Sequence, residues 1–489
     1  MLGCSLFSPH YAIMLKKSSV ILAAIWLCSG SMLLASDEIV LTAQEQQAVS
    51  VTIYNQNLAL IKDRRTINLP QGTQTLAFRE VSARIKPETA LMLGRNLAVL
   101  EQNFEYDLLT PQSLLQKYVG REVTMIRRHP ASSEEQPVQA KVLSAGNGVV
   151  LQVGNRIETE VAGRLVYPDV PANLRDRPTL TMLVESAKAG AREVELSYLT
   201  GGLSWQANYV AELNTRDDQL NLSGWVTLTN ESGAQYPDAR LQLVAGDVHV
   251  VQQALEPRAM RTEAMAATPA LAPKAVREEA LFAHHLYTVE RPTTLRENQK
   301  KQVALLQADA VRCRKEFMLK GQDYYFSTQV SEIGRKIKAA VYVELHNDKE
   351  SGLGQPIPGG IFRVYKKDNA GFLQFVGEDR VEHTPEKELI RLHLGEAFDI
   401  TADKHQMDFK KLKGTTSSNS VYESEYLIRI KNAQQEAVTV KVQEPIPGDW
   451  EMVSESLKHV KDSAHTASWL VTVPSKETVT LTYRVRMKQ

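Results

Sequence analysis

The chain has 489 residues, of which 43% are hydrophobic and 23% are charged, a composition typical of a globular protein with enough apolar side chains for more than one core. Its 57 basic residues balance its 57 acidic ones. The net charge gives no electrostatic argument for nucleic acid or for an anionic membrane surface, and we expect no nucleic-acid partner.

Residues 1–36 follow the three-part plan of a secretory signal peptide. In MLKKSSVILAAIWLCSGSMLLAS, which starts at Met14, two lysines precede an apolar run and then a segment of small and apolar residues. The run is too short for a membrane span, so we expect cleavage near Ala35 or Ser36 and a periplasmic or secreted protein without an integral span. Residues 1–13 then belong to a misassigned upstream start.

Cleavage after this segment changes both the charge and the cysteine content. It removes two lysines and no acidic residue, so 57 minus 2 leaves 55 basic against 57 acidic residues, a net charge of −2. Cys313 remains as the single cysteine, so no intramolecular disulfide can form and the fold must rely on its cores. A lipid anchor at Cys28 is the alternative, but the bulky Trp26 and Leu27 before it disfavour that.

Strand signals dominate the rest of the chain, which we predict to be all-β, with serial sandwich-like or barrel-like domains. Residues 37–120 are predicted to form short strands and one short helix, which starts at Pro111 with Thr110 as its cap. Residues 121–178 predict a small barrel-like unit or sheet. Asn147-Gly148 lies between two apolar runs there, which is a strong hairpin signal.

Residues 179–251 give short strand-like runs separated by turns, a spacing that predicts part of a β-sandwich. Residues 252–283 are rich in Ala and Pro and predict a flexible linker, because they offer little that would bury a core. Strands resume in residues 284–489, a second sandwich-like portion. Thr294 and Glu297 would form a capping box for a helix there, but the alternation that follows favours strands.

The stretch GGLSW contains Ser204, a candidate nucleophile. The G-x-S-x-G pattern of a nucleophile elbow is absent and strands flank the stretch, so we predict that Gly201 and Gly202 bend the chain between two strands. Ser204 acting with a distant histidine is the alternative interpretation. Trp205 and Trp225 both alternate with their neighbours as strand residues do, which predicts that both are buried in a core.

His383, His393 and Asp399 are the candidate metal ligands or catalytic groups. Their spacing matches no standard ligand motif, so we predict surface histidines and no metal or other cofactor. Cys313 is interpreted as a small buried apolar residue rather than a redox site. The stretch DNAGFLQFVGED lacks the order of a calcium loop and predicts a hairpin turn, and GLGQPIPGG lacks the lysine of a phosphate loop.

Several stretches resemble a known family. They are LTGGLSWQANYVAELN, GWVTLTNESGAQYPDARLQLVAGDV, YTVERPTTLRENQKKQVALL, GQPIPGGIFRVYKKD and GEDRVEHTPEKELIRLHLGEAFD. In this order they resemble the bacterial domain of unknown function 4139, from about residue 179 to the C-terminus, and VTIYNQNLALIKDRRTINLPQG resembles the N-terminal part of the same proteins. The family is similar in part to mucoidy-inhibitor proteins, which carry a helical insert that this sequence does not show. The resemblance implies architecture and supplies no catalytic residue.

The signal peptide, the serial β modules and the lack of a site motif predict a non-catalytic interaction or scaffold module of the cell envelope. It would contact a partner protein, for example by strand addition at a sheet edge. An envelope hydrolase or metalloenzyme with an atypical site at Ser204, His383, His393 or Asp399 is one alternative. A glycan-binding module that uses its tryptophans is the other.

Overall fold

The computed structural model describes residues 38–488, apart from residues 56, 129–133, 147, 162, 172–173, 247, 249–275, 283 and 413–419. The predicted signal peptide, Asn147 of the predicted hairpin turn and most of the predicted linker lie outside the described residues. The end of that linker, Val276–Leu281, forms a strand that pairs with the strand after it.

Strands supply nearly all the regular structure of the described residues, which confirms the all-β prediction. The first part of the chain contains one helix, α1 (Pro111–Lys117), a 3-10 turn at Pro87–Thr89, and the strands β1 (Ile39–Leu41), β2 (Gln46–Tyr54), β3 (Leu58–Leu69), β4 (Gly72–Arg79), β5 (Leu91–Gly94), β6 (Leu97–Glu105), β7 (Glu122–Arg128), β8 (Glu135–Ser144), β9 (Val150–Val153), β10 (Arg156–Glu158) and β11 (Arg164–Val166). The middle part contains β12 (Thr179–Ser186), β13 (Gly190–Thr200), β14 (Leu203–Leu213), β15 (Gln219–Asn230), β16 (Tyr236–Ala245), β17 (Val276–Leu281), β18 (His284–Val289) and β19 (Thr293–Leu295). The last part contains a 3-10 turn at Tyr324–Phe326 and β20 (Gln299–Lys320), β21 (Glu332–His346), β22 (Gly360–Lys367), β23 (Leu373–Val381), β24 (Leu389–Leu412), β25 (Val421–Asn432), β26 (Val438–Pro445), β27 (Asp449–Glu455), β28 (Val460–Ser463), β29 (Thr466–Val473) and β30 (Thr478–Lys488).

The described strands pair into four sheets. One has the order β1-β4-β12-β6, and a five-stranded sheet has the order β10-β9-β8-β7-β11. An eight-stranded sheet has the order β17-β18-β16-β2-β3-β13-β5, with β19 beside β16. A thirteen-stranded sheet runs β23-β22-β14-β15-β20-β21-β24-β25-β30-β27, and β26, β28 and β29 join it through β20. The parallel pairs β2–β16 and β14–β22 bring together segments that are far apart in the chain.

Two large cores share the long strands β20 and β24. The first core takes buried side chains from residues 41–92, 180–245 and 287–392, and the second takes them from residues 317–487. β20 sends Val311 into the first core and Phe317 into the second. β24 likewise sends Leu392 into the first and Ile400 into the second. A small separate core lies between α1 and the five-stranded sheet.

Several local predictions are confirmed. α1 begins at Pro111, where the Thr110 hydroxyl accepts the N–H of Ser113 at 3.0 Å, as a capping residue does. β8 and β9 are antiparallel neighbours, which confirms the predicted hairpin. β19 and β20 confirm that strands, and not a helix, follow residue 293.

No helix in the described part of the chain combines the length and apolar character needed to cross a membrane.

The glycine pair before β14 forms the predicted bend. Gly202 has a φ of +82°, its N–H donates to the Asn57 side chain at 2.8 Å, and its carbonyl accepts the N–H of Glu231 at 2.6 Å. The two strands that follow the bend are β14 and β15. Along each of them buried residues alternate with outward-facing residues, as a sheet with one covered face requires. Trp205 faces inward and is 6% exposed, which confirms its predicted burial.

The same prediction was wrong for Trp225. Its neighbours Gly224 and Val226 on β15 are buried, whereas Trp225 is half-buried and lies in the outward series with Ser223 and Thr227. The predicted alternation of side chains with a period of two is correct, but Trp225 lies on the outward face of the sheet and not on the core face. A tryptophan that alternates with apolar residues belongs to the opposite face from them.

Gly202→Ala is expected to lower the free energy of unfolding by more than about 1 kcal/mol, because the new Cβ would combine a positive φ with a contact of 2.6 Å to the Glu231 carbonyl oxygen. Gly201→Ala is the matched control. Its nearest neighbour would lie at 3.7 Å, and we expect a change within about 0.5 kcal/mol. Urea unfolding followed by tryptophan fluorescence measures both, and equal effects would contradict this account of the bend.

Candidate functional site

A polar cleft of about 560 Å³ lies at the start of β14 and the end of β15. The strands provide its floor, the first residues of β20 lie on one side, and the end of β23 with the loop after it lies on the other, where Asn55 of the turn after β2 contacts His383. Its lining residues are Asn55, Ser204, Trp205, Gln206, Thr227, Thr229, Lys300, Gly359, Arg380, Val381, Glu382 and His383. We call it the polar cleft.

Strand register explains why the floor of the polar cleft is polar. Ser204 lies opposite Thr229 and Gln206 lies opposite Thr227 in the β14–β15 pair. Thr229 in turn lies opposite Lys300 on β20. Residues that are directly opposite project on the same face, so hydroxyl, amide and ammonium groups form neighbouring rows above the buried core.

The imidazole of His383 connects two walls of the polar cleft. The N–H of Gly359 donates to Nδ1 at 3.0 Å, and the side-chain amide of Asn55 lies 3.1 Å from Nε2. Both ring nitrogens are therefore engaged by other protein groups. The ring fixes the loop after β23 against the start of β22 and against the turn after β2.

The polar cleft thus brings together two of the predicted site residues, Ser204 and His383. A serine nucleophile needs a base within hydrogen-bond reach of its hydroxyl. Among the described residues, no hydrogen bond joins the Ser204 hydroxyl to the His383 ring. Lys300 and Arg380 bring positive charge to the polar cleft, and Glu382 brings negative charge.

His393 and Asp399 do not line the polar cleft. The ring of His393 lies 5.0 Å from that of Tyr342, and its backbone N–H donates to Asp379 at 2.8 Å. The carbonyl of Asp399 accepts the N–H of Ala433 at 2.8 Å. In the described ranges, no group of three or more His, Cys, Asp or Glu side chains is placed to hold a metal ion.

A second surface feature is the hairpin of β22 and β23, which confirms the hairpin predicted at DNAGFLQFVGED. Asp368 organises its turn by accepting the N–H groups of Ala370 at 3.0 Å and Phe372 at 2.9 Å. Hydrogen bonds from the Gln374 amide and from Phe372 hold the pKa of Asp368 below its usual value. The turn exposes large apolar side chains together, and we call them the apolar tip: Phe372, Leu373, Phe375 and Val376.

Most residues of both features were missed from the sequence. Asn55, Lys300 and Arg380 come from three distant segments. The pairing of β15 with β20 brings Lys300 to the cleft, the pairings of β14 with β22 and of β22 with β23 bring Arg380, and Asn55 reaches it beside His383. The apolar tip did leave a signal. Two phenylalanines, a leucine and a valine follow the Asn-Ala-Gly turn, where a solvent-exposed hairpin end would be expected to carry polar residues.

The described residues form an all-β protein built from several sheets, with the polar cleft and the apolar tip on its surface. The model of the domain of unknown function DUF4139 matches residues 194–489, so the chain belongs to that family. The match starts within β13 and includes the polar cleft apart from Asn55, together with the apolar tip. No curated protein matches the chain.

Cys313 is expected to resist thiol reagents in the native protein. Burial, assisted by the carboxylates of Asp217 and Asp218, raises the pKa of its thiol to about 11, so only about one thiol in a thousand is ionised at pH 8. Alkylation by iodoacetamide at pH 8, followed residue by residue with peptide mass spectrometry, should be slow before unfolding and complete in urea. Rapid modification of the native protein at this cysteine would contradict the expectation.

Proposed function

We propose that this chain is an exported, non-catalytic module of the cell envelope that acts by binding another protein. The apolar tip carries the proposal, because Phe372 is 69% exposed and Phe375 is 56% exposed within a few residues of each other. Soluble proteins seldom leave such groups together in water unless they meet a partner. β23 is the terminal strand of the thirteen-stranded sheet in its pairing order.

The position of the apolar tip supports strand addition as the mode of contact. The far half of β23 lies against β24, where the N–H of His393 donates to Asp379. The half next to the turn carries the apolar tip at the end of the sheet. A partner strand would pair with the backbone of this half and cover the exposed side chains.

Features outside the apolar tip support the location and the lack of catalysis. The three-part plan of residues 1–36 supports export through a secretory route. The engagement of both nitrogens of His383 supports a binding role over a catalytic one.

Replacing Phe372 and Phe375 by serine in one variant is expected to reduce recovery of the partner by at least about tenfold, because the exposed aromatic anchors supply most of the contact energy. The measurement is crosslinking in intact cells, purification from the periplasmic fraction and quantitative mass spectrometry.

Phe398→Ser provides the matched control, since Phe398 is 86% exposed but lies on β24, outside the apolar tip. It should recover the partner as the unchanged protein does. Equal recovery by the double variant and the unchanged protein would reject the apolar tip as the binding surface. Retention of the protein in the cytoplasmic fraction would reject export.

Binding of a glycan is the second candidate, and the outward position of Trp225 favours it. On β14, Asn208 lies opposite Trp225 and Gln206 lies opposite Thr227, so the indole is in the row next to the polar cleft. An indole beside amides and hydroxyls offers a sugar both a flat apolar surface and hydrogen-bond partners. The charged groups Lys300 and Arg380 would select acidic sugars.

A glycan array that includes acidic oligosaccharides tests this candidate. We expect Trp225→Ala and Gln206→Ala each to weaken binding of a retained glycan by about tenfold, because each removes one contact of the same surface. Thr472→Ala, an exposed change on β29 in the second core region, should leave binding unchanged. An array on which the unchanged protein retains nothing would rule the candidate out.

A further inference from the structure

The second core encloses a charged cluster that contributes nothing to either surface feature. Lys404 on β24 is 4% exposed, Glu444 on β26 is 1% exposed, and Tyr325 of the 3-10 turn is 1% exposed. β24 pairs with β21 and β25, whereas β26 pairs with β20 and β29. The side chains of this cluster therefore join two strands that share no backbone ladder.

The three side chains contact one another directly. The Nζ of Lys404 donates to Oε1 of Glu444 and, at 2.6 Å, to the hydroxyl of Tyr325. That hydroxyl donates in turn to Oε2 of Glu444 and accepts the N–H of Gln322 at 2.8 Å. Tyr325 thus bridges the amine and the carboxylate.

The cluster is closely packed on several sides. A side chain on Gly321 would overlap both Oε2 of Glu444 and the Tyr325 hydroxyl. The Nζ of Lys404 lies 4.1 Å from the centre of the Tyr325 ring and 5.4 Å from that of Tyr426. Burial lowers the pKa of Lys404, and the Glu444 carboxylate opposes this shift.

We propose that Lys404 and Glu444 condense to form an isopeptide bond that covalently joins β24 to β26. A proton first passes from the ammonium through the Tyr325 hydroxyl to Oε2 of Glu444, which gives a neutral amine and a neutral carboxylic acid. The Nζ lone pair then forms a bond to Cδ. One remaining Nζ proton passes through the Tyr325 hydroxyl to the Oε2 hydroxyl, the Cδ–Oε2 bond breaks, and one water leaves. The amide keeps one N–H, and Tyr325 is regenerated.

Three physical factors favour this condensation in the folded protein. The fold holds the amine and the carboxyl group in contact. A well-oriented intramolecular pair reacts as if one partner were present at an effective concentration of about 10⁵ M or more around the other. Transfer of the proton and loss of water replace two buried charges, which are costly to desolvate, by a neutral amide. Lys404, Glu444 and Tyr325 are at most 4% exposed, so bulk water has little access to reverse the reaction.

Peptide mapping of the full-length protein under denaturing conditions is the decisive test. We expect one branched peptide that joins the fragment containing Lys404 to the fragment containing Glu444, with a mass lower than the sum of the two by one water. Lys441 and Asp462 form an internal control. They pair at 3.2 Å but are each about a quarter exposed, and they should remain on separate linear peptides. Two linear peptides for Lys404 and Glu444 would overturn the proposal.

Two variants test the chemistry. Lys404→Met removes the nucleophile, so the branched peptide should disappear, and its persistence would overturn the assignment of the bond. Tyr325→Phe keeps the ring but removes the bridging hydroxyl, and the crosslinked fraction measured soon after cell-free synthesis should fall by at least about tenfold. Circular dichroism confirms that the variant has folded. A folded Tyr325→Phe protein that crosslinks as fast as the unchanged protein would overturn the relay role of Tyr325.

Discussion

The architecture depends on two long strands, β20 and β24, that belong to both large cores. Each of these strands contains a local irregularity in its backbone and in its strand register. Ala310 has a φ of +54° and Gly395 a φ of +121°, and both lie beside a shift of strand register. Such bulges bend and twist a strand, so that the residues before and after them face different neighbours. The two cores are joined by continuous backbone ladders and need no separate linker between them.

The alternation of side chains that fills the cores also separates outward polar groups, which face solvent, from inward polar groups, which are buried in a core. On the outer face of β14 and β15, Ser204 and Thr229 project towards solvent and leave their hydroxyl groups available to a ligand. Inside the second core, Lys404, Glu444 and Tyr325 satisfy one another. A buried cluster of this kind stabilises little as an ion pair, since desolvation offsets attraction. Its geometry is better understood as preparation for a reaction or as a constraint on how the strands pack.

Local features were predictable where local forces determine them. The cap at Thr110 and the bend at Gly202 each follow from the residues involved and their immediate neighbours. The period of two along β14 and β15 was also visible. The sequence did not show which face of the sheet would be covered. Trp205 is therefore buried and Trp225 is half-buried, although both lie in strands. The candidate site was only partly predictable for a related reason. Ser204 and His383 both line the polar cleft, but nothing in the sequence around either residue indicates that they share a site.

The sequence by itself determined the all-β class, the helix cap, the glycine bend and the family resemblance, because each of these is encoded within a short window by strand period, turn chemistry or ordered motifs. Only the tertiary structure decided which segments share a core, which outward rows form the polar cleft, and that Lys404 meets Glu444. These relations depend on strand pairings such as β2 with β16, which joins residues nearly two hundred positions apart. Pairing over such distances is selected by the burial of whole faces, and a window of local sequence does not contain that information.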